Sequence, residues 1–326
     1  MAFNCTCEDG GIGNLGLPKC NDLLKVVSKL IIVPTYNSDA TTQNRNAIAA
    51  TDFVDGILPE AFILGKINES DSSKRWYPTA KTFDEVVVGE TDRTTQTTSS
   101  GAVYDLLRGQ MTFEGKLFEF PPAYVGQLQS ATCSEVSVYY VDEEGRLMGR
   151  VSPDGQYLYP FEIQEGSIVA KYNIRTNDSA AYVSFMFQLE RGVKSEDLLT
   201  IPPSELGVDL LRIEALIDVT LTATAGATQA ATTLYVSARY ELYGTFAKKG
   251  SLIGKTGITP IWWTVLDATG TPVIPTAVTE SATIAGDYTI TIPSTAAQVV
   301  TVQYSEQRTA TNVKGYESNV LSITTP

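Results

Sequence analysis

Ser134-Glu135-Val136-Ser137-Val138-Tyr139-Tyr140-Val141, then Asp142-Glu143-Glu144-Gly145, then Arg146-Leu147-Met148-Gly149-Arg150-Val151, is the stretch that decides the fold class. Alternating residues on both sides flank a short polar segment that ends in glycine, and the first run is rich in Val and Tyr. Side chains of a strand point alternately to its two faces, and a glycine supplies the positive φ that reverses the chain. The pattern therefore specifies a β-hairpin.

On the N-terminal side, strand-like runs stand at Ala61-Phe62-Ile63-Leu64-Gly65-Lys66-Ile67 and Phe83-Asp84-Glu85-Val86-Val87-Val88. Between them Lys74-Arg75-Trp76-Tyr77-Pro78 reads as an aromatic anchor beside a turn. Segments 35–51 and 91–101 are rich in Thr, Ser and Asn and read as surface loops. Asn21 and Asp22 offer an N-cap to Leu23–Val33, which predicts a helical turn running into a strand that Pro34 closes. Residues 1–22, with Gly10-Gly11-Ile12-Gly13-Asn14-Leu15-Gly16, cannot easily hold regular structure and read as an arm.

On the C-terminal side, strands are expected at 167–175 and 181–189, a turn element at 197–206, and a long strand from Ile213 to Thr224. From Ala225 onward Ala, Thr, Val and Tyr take over and charged residues thin out. Strand-like runs then follow at 232–242, 261–266, 272–278, 286–292, 299–304 and 319–324, the even spacing of a sandwich. The expected division of the 326 residues is an arm at 1–22, a β domain at 23–220 and a β-sandwich at 221–326.

Composition excludes several functions. The sequence contains no histidine, which removes Ser-His-Asp and Cys-His nucleophile systems, imidazole acid-base steps and His-ligated zinc. A net charge of −13 without a basic run argues against tight binding to nucleic acid or anionic membranes. The N-terminus lacks the pattern of a secretory signal, and no apolar stretch approaches the roughly 20 residues that span a bilayer. A soluble protein made in the cytoplasm is expected, without catalytic activity and without a cofactor.

Each candidate motif has a plainer reading beside it. Gly11-Ile12-Gly13-Asn14-Leu15-Gly16 matches a dinucleotide-binding pattern by letter, but Pro18 follows where a helix would begin. Gly250-Ser251-Leu252-Ile253-Gly254-Lys255-Thr256 is one residue short of a phosphate loop and reads as a turn between strands. Asp84-Glu85 and Asp142-Glu143-Glu144 read as solvated faces, the second with calcium as the alternative. Cys5, Cys7 and Cys20 crowd the start while Cys133 lies in an apparent strand; zinc is the alternative to idle thiols, although Cys-x-Cys is not the usual knuckle spacing. Trp262-Trp263 sets one indole on each face of a strand, which predicts one in the core and one exposed as a contact, the glycan-binding alternative included.

With these residues in view, the first 220 positions resemble the major tail tube proteins of long-tailed bacteriophages. The resemblance rests on the Gly-rich arm, the Thr-rich loops, the hairpin around Asp142–Gly145 and the strands at 167–175, 181–189 and 213–224. The last hundred resemble the immunoglobulin-like domain often appended to such proteins, through Gly286-Asp287-Tyr288-Thr289-Ile290-Thr291-Ile292 and the closing Gly315–Ile323. The implied fold is mainly β, a tail-tube-like sandwich or barrel followed by an immunoglobulin-like sandwich. The implied partners are copies of the chain itself, in rings usually of six that stack into a tube, together with other virion proteins and DNA that passes without specific binding. The implied location is the virion tail, assembled in the host cytoplasm. Gly11, Gly13 and the tip Asp142, Glu143, Glu144 and Gly145 are the expected assembly contacts, with Trp262 and Trp263 as further candidates. A capsid decoration or head-fibre protein is the structural alternative, and a glycan-binding sandwich is the alternative of another class.

Overall fold

The computed structural model describes residues 25–37, 46–80, 82–91, 94–101, 103–107, 109–120, 122–177, 180–193, 198–241, 249–257, 262–293, 299–309 and 315–326. The protein is mainly β and divides into two compact units between Ala215 and Leu216. The Gly-rich arm, with Gly11, Gly13, Cys5, Cys7 and Cys20, lies outside the described residues.

In chain order the first unit contains β1 (Val27–Pro34), β2 (Ile48–Ala49), helix α1 (Glu60–Ile67), β3 (Tyr77–Pro78), β4 (Asp84–Glu90), β5 (Thr94–Thr97), β6 (Val103–Leu107) and β7 (Met111–Phe118). Helix α2 (Ala123–Ser130) and the strands β8 (Val136–Asp142), β9 (Leu147–Val151), β10 (Tyr157–Tyr159), β11 (Phe161–Glu162), β12 (Val169–Asn173), β13 (Tyr182–Gln188) and β14 (Leu198–Ile201) follow. An eight-stranded sheet runs β2-β10-β9-β8-β1-β3, with β11 on β8 and β14 on β9. A four-stranded sheet runs β12-β13-β7-β4, and β5 pairs with β6 apart from both.

The two larger sheets share one core. Leu30, Val138, Tyr140 and Phe161 of the first meet Phe113, Leu117, Val183, Phe185 and Phe187 of the second. Phe113 stacks on Phe187 with ring centroids 4.9 Å apart. All seven residues of β8 are buried, because the other face of its sheet is covered as well. There Tyr139 packs on Trp76 at 5.3 Å, and its hydroxyl donates to the carbonyls of Asn46 and Leu158. Each buried aromatic of this kind removes about 150–250 Å² from water, so this double layer is the main source of stability in the unit.

Four local expectations are corrected here. Residues 61–67 form a helix, not a strand: Ile63 and Ile67, four apart, are the residues it buries, and Glu60 follows Pro59 at its first turn. The loop expected at 91–101 contains β5, paired antiparallel with β6. The turn expected at 197–206 holds β14, paired with β9, before a single turn at Pro203–Glu205. Cys133 lies in the short 3₁₀ turn Ala131–Cys133 and not in a strand.

The second unit contains β15 (Ile217–Ala223), β16 (Thr233–Glu241), β17 (Lys249–Ser251), β18 (Trp263–Leu266), β19 (Ala277–Glu280), β20 (Asp287–Thr291), β21 (Val299–Glu306), β22 (Tyr316–Ser318) and β23 (Leu321–Thr324). One face is built from β15-β16-β20-β19 and the other from β18-β21-β23, with β22 joining β21 to β15, the latter pair parallel. This four-plus-three order is that of an immunoglobulin constant-type sandwich. The strand expected to complete the first domain is instead the first strand of this one, since β15 pairs with β16 and β22. None of the cysteines, at 5, 7, 20 and 133, falls in this unit. In place of an inter-sheet disulfide, Trp263 of β18 packs on Tyr304 of β21 at 4.9 Å and reaches Tyr288 of β20 at 5.0 Å.

Candidate assembly surfaces

A sheet edge is a row of backbone N–H and C=O groups without partners, and proteins that stay monomeric shorten, bend, charge or cover it. In the eight-stranded sheet the end strands β2 and β3 are two residues long each, and β14, paired with β9 alone, is a further edge of four residues. The four-stranded sheet differs: it ends in β4, seven residues, and β12, five residues.

On β4, Val88 lies opposite Phe113 and so on the core-facing side, yet it is 38% exposed; its neighbour Val87, on the outer side opposite Glu114, is 61% exposed. The start of β4 is bulged between Asp84 and Val87, with Glu85 at φ 48°. The Glu85 carboxylate accepts from the ammonium of Lys116 on β7, and that hydrogen bond raises the Lys116 pKa above its ordinary value. Asp84 and Glu85 are exposed, as the sequence suggests.

At the opposite edge, Ala170 and Tyr172 of β12 belong to the core side, and Ile174 just beyond the strand is 78% exposed. Helix α2 covers the beginning of β12. Gln129 Nε2 donates to the Ala170 carbonyl at 2.9 Å, and Thr132 Oγ1 to the Ile168 carbonyl at 3.4 Å.

The second unit covers the outer borders of β18 and β19, while β23 pairs with β21 alone. Val273 N donates to the Val265 carbonyl at 2.8 Å, and Pro272 bridges to Leu266, so the connecting segment lies along β18. Gly257 N likewise donates to the Val278 carbonyl of β19 at 3.0 Å. A proline beside an edge has no N–H to offer an incoming strand.

The hairpin tip is only in part what the sequence suggests. Asp142 is fully buried and not a solvated face, with Oδ1 accepting from the amides of Glu144 and Arg146, each at 2.9 Å. Gly145 is buried at φ 83°, the left-handed position that closes a type I turn with a bulge. Asp142 and Gly145 therefore shape the loop and present no contact, while Glu143 and Glu144 are exposed. Oδ1 accepts from the chain, and among the described residues no three side chains of metal-binding type come together.

Trp263 is the core indole, its Nε1 donating to the Lys255 carbonyl at 3.0 Å. Trp262 is half-buried and not an open contact. The Lys255 ammonium lies 5.0 Å from its ring centroid and 5.3 Å from that of Tyr316, and it pairs with the buried Glu306 carboxylate at 2.7 Å. Glu306 also accepts from the Tyr304 hydroxyl at 2.6 Å. Gly250 serves packing, since a Cβ there would sit 2.4 Å from the Tyr240 ring, whereas Gly254, at φ 75°, has open space around it. What sequence reasoning missed is the pair of open edges, because no residue pattern states which strand ends a sheet.

The sequence matches no protein-family model and no curated protein.

Proposed function

We propose that this chain is a non-catalytic structural subunit of a bacteriophage tail, which joins copies of itself through the four-stranded sheet into rings that stack as a conduit for DNA. The contrast between edges carries this reading. The four-stranded sheet ends in β4, with exposed Val88, and in β12, with exposed Ile174 just beyond it, while in the second unit Val273 and Gly257 cover the borders of β18 and β19. All neighbours in the sheet are antiparallel, so β12 of one copy set beside β4 of the next continues the alternation. Such a head-to-tail contact uses two different patches, and it builds a ring where the rotation closes. The net charge of −13 suits a wall that repels phosphate and lets DNA slide.

Purified protein is expected to form rings or tubes in negative-stain micrographs and a high-mass species in light scattering. A monodisperse monomer at high concentration would refute the proposal.

A further inference from the structure

The four-stranded sheet has an inner and an outer face, and the outer one gathers side chains that its edges do not use. Ala170, Phe113, Leu117, Val183 and Phe185 belong to the core. Strand alternation therefore sends Lys116 and Phe118 of β7, Tyr182 and Ser184 of β13, and Lys171 and Asn173 of β12 to the outer side. Their register forms two rows. Asn173, Tyr182 and Phe118 lie opposite one another in the first, and Lys171, Ser184 and Lys116 in the second, about 7 Å further along the strands. Tyr182 and Phe118 are half-buried, with ring centroids 5.6 Å apart and planes at 53°. The Lys116 ammonium bonds to Glu85 and stands 4.9 Å from the Tyr182 centroid, which holds that ring from the side. Beneath them Phe113, Phe185 and Phe187 pack against one another, so the aromatic pair rests on a fixed floor.

Charge on this face is divided. Lys171 is exposed, as is Arg175, two residues past Asn173, while the acidic Asp84, Glu85 and Glu114 lie on β4 and β7. The β12 side is therefore basic, although the chain as a whole carries −13. We infer that this face binds unpaired nucleic acid, with bases stacked on Phe118 and Tyr182 and the sugar-phosphate strand passing Lys171 and Arg175. Aromatic rings beside cations meet both halves of a nucleotide, and every base has a π-face, so the site reads no sequence. A duplex keeps its bases stacked on one another and offers these rings nothing. Four residues of strand separate Lys171 from Arg175 by about 13 Å, a span of a few nucleotides. With two phosphates neutralised, log K falls against log salt with a slope of about −1.4, roughly sevenfold between about 50 and about 200 mM. The binding is thus weak and salt-sensitive, in keeping with a sequence that has no basic run; three strands bring the contributing residues together. This site is separate from the edges on which the assembly reading rests.

The test is fluorescence anisotropy of an end-labelled oligothymidylate of about 15 residues, titrated with the full chain at low salt. Saturable binding is expected, with the salt slope above; an oligouridylate arm shows whether DNA, RNA or both are held. Phe118→Ala is expected to weaken binding about tenfold, the loss of one stacked base. Should that variant fail to fold, Phe118→Leu keeps the apolar bulk, removes the ring and gives the same reading. Lys171→Gln is expected to halve the slope to about −0.7. Arg191→Gln, an exposed cation beyond the far end of β13, is expected to bind as wild type. The inference is overturned by an absence of binding, by equal binding of a duplex or of polyglutamate, by undiminished binding in a folded Phe118→Ala chain, or by an equal loss in Arg191→Gln. Rings in micrographs without oligonucleotide binding overturn it and leave the assembly reading standing.

Discussion

Lys255 and Glu306 form the most testable polar contact in the immunoglobulin-like unit. The lysine side chain is 20% exposed and the glutamate 5%, with 2.7 Å between them. Removing one member of a buried pair costs about 3–5 kcal/mol, because the other charge stays behind in a poor solvent. In Lys255→Met the carboxylate keeps the Tyr304 hydroxyl, so the low end, about 3 kcal/mol, is expected. In Glu306→Gln the lysine can turn its ammonium toward water along its alkyl stem, and about 2 kcal/mol is expected. The double variant should cost at least about 1.5 kcal/mol less than the sum of the singles, since the two share one interaction. Urea unfolding of the full chain would be followed by tryptophan fluorescence in a Trp76→Phe background, which leaves only Trp262 and Trp263 as reporters. For a slope near 1.5 kcal/mol per molar, loss of 3 kcal/mol moves the midpoint down by about 2 M. Additivity within about 0.5 kcal/mol, or a Lys255→Met cost below about 1 kcal/mol, would refute the reasoning.

Gly149→Ala should destabilise the first unit by about 3 kcal/mol, because its Cβ would lie 2.6 Å from the Tyr159 carbonyl oxygen and 2.9 Å from Leu158 Cγ; an unchanged calorimetric transition would contradict this. Lys29, buried on β1, donates to the carbonyls of Leu211, at 3.1 Å, and Ile213. Lys29→Met is expected to cost about 2–4 kcal/mol and to speed amide exchange over 209–214, and protection equal to wild type would count against it. Burial pushes the Tyr288 phenol up to about 12, and Tyr139, Tyr140 and Tyr304 are raised by burial too. The fold thus favours the protonated phenol: this contribution is complete below the ordinary value near 10 and is lost as pH climbs toward 12. Absorbance at 295 nm should show these tyrosines ionising together with loss of circular dichroism, and ionisation in an intact fold would disprove the assignment.

The hairpin from Val136 to Val151 was legible because everything it needs is local: alternating side chains, an aspartate to accept two amides, and a glycine three residues on. The same chemistry recurs at Asp267-Ala268-Thr269-Gly270-Thr271, where Asp267 Oδ1 accepts from the amides of Thr269 and Thr271 and Gly270 has φ 82°. Residues 61–67 misled because Phe62-Ile63-Leu64 is an apolar run that suits a strand as well as a helix, and packing under Trp76 settled it. Ile217–Ala223 was read as a strand, but its partners lie up to about a hundred residues away, so its unit was not legible. The burial of Asp142 was hidden for a similar reason, since the segment at Asp209–Leu211 that packs near Gly145 is distant in sequence. Edge position, on which the proposed assembly turns, is a property of strand order and has no signature in any single strand.

The covered borders of the immunoglobulin-like unit make it a natural carrier for foreign sequence. With Val273 lying along β18 and Gly257 against β19, an epitope spliced into the exposed Asp267–Thr271 turn would create no new polymerising border. In the proposed assembly each copy would then display one such epitope, at the spacing of its rings.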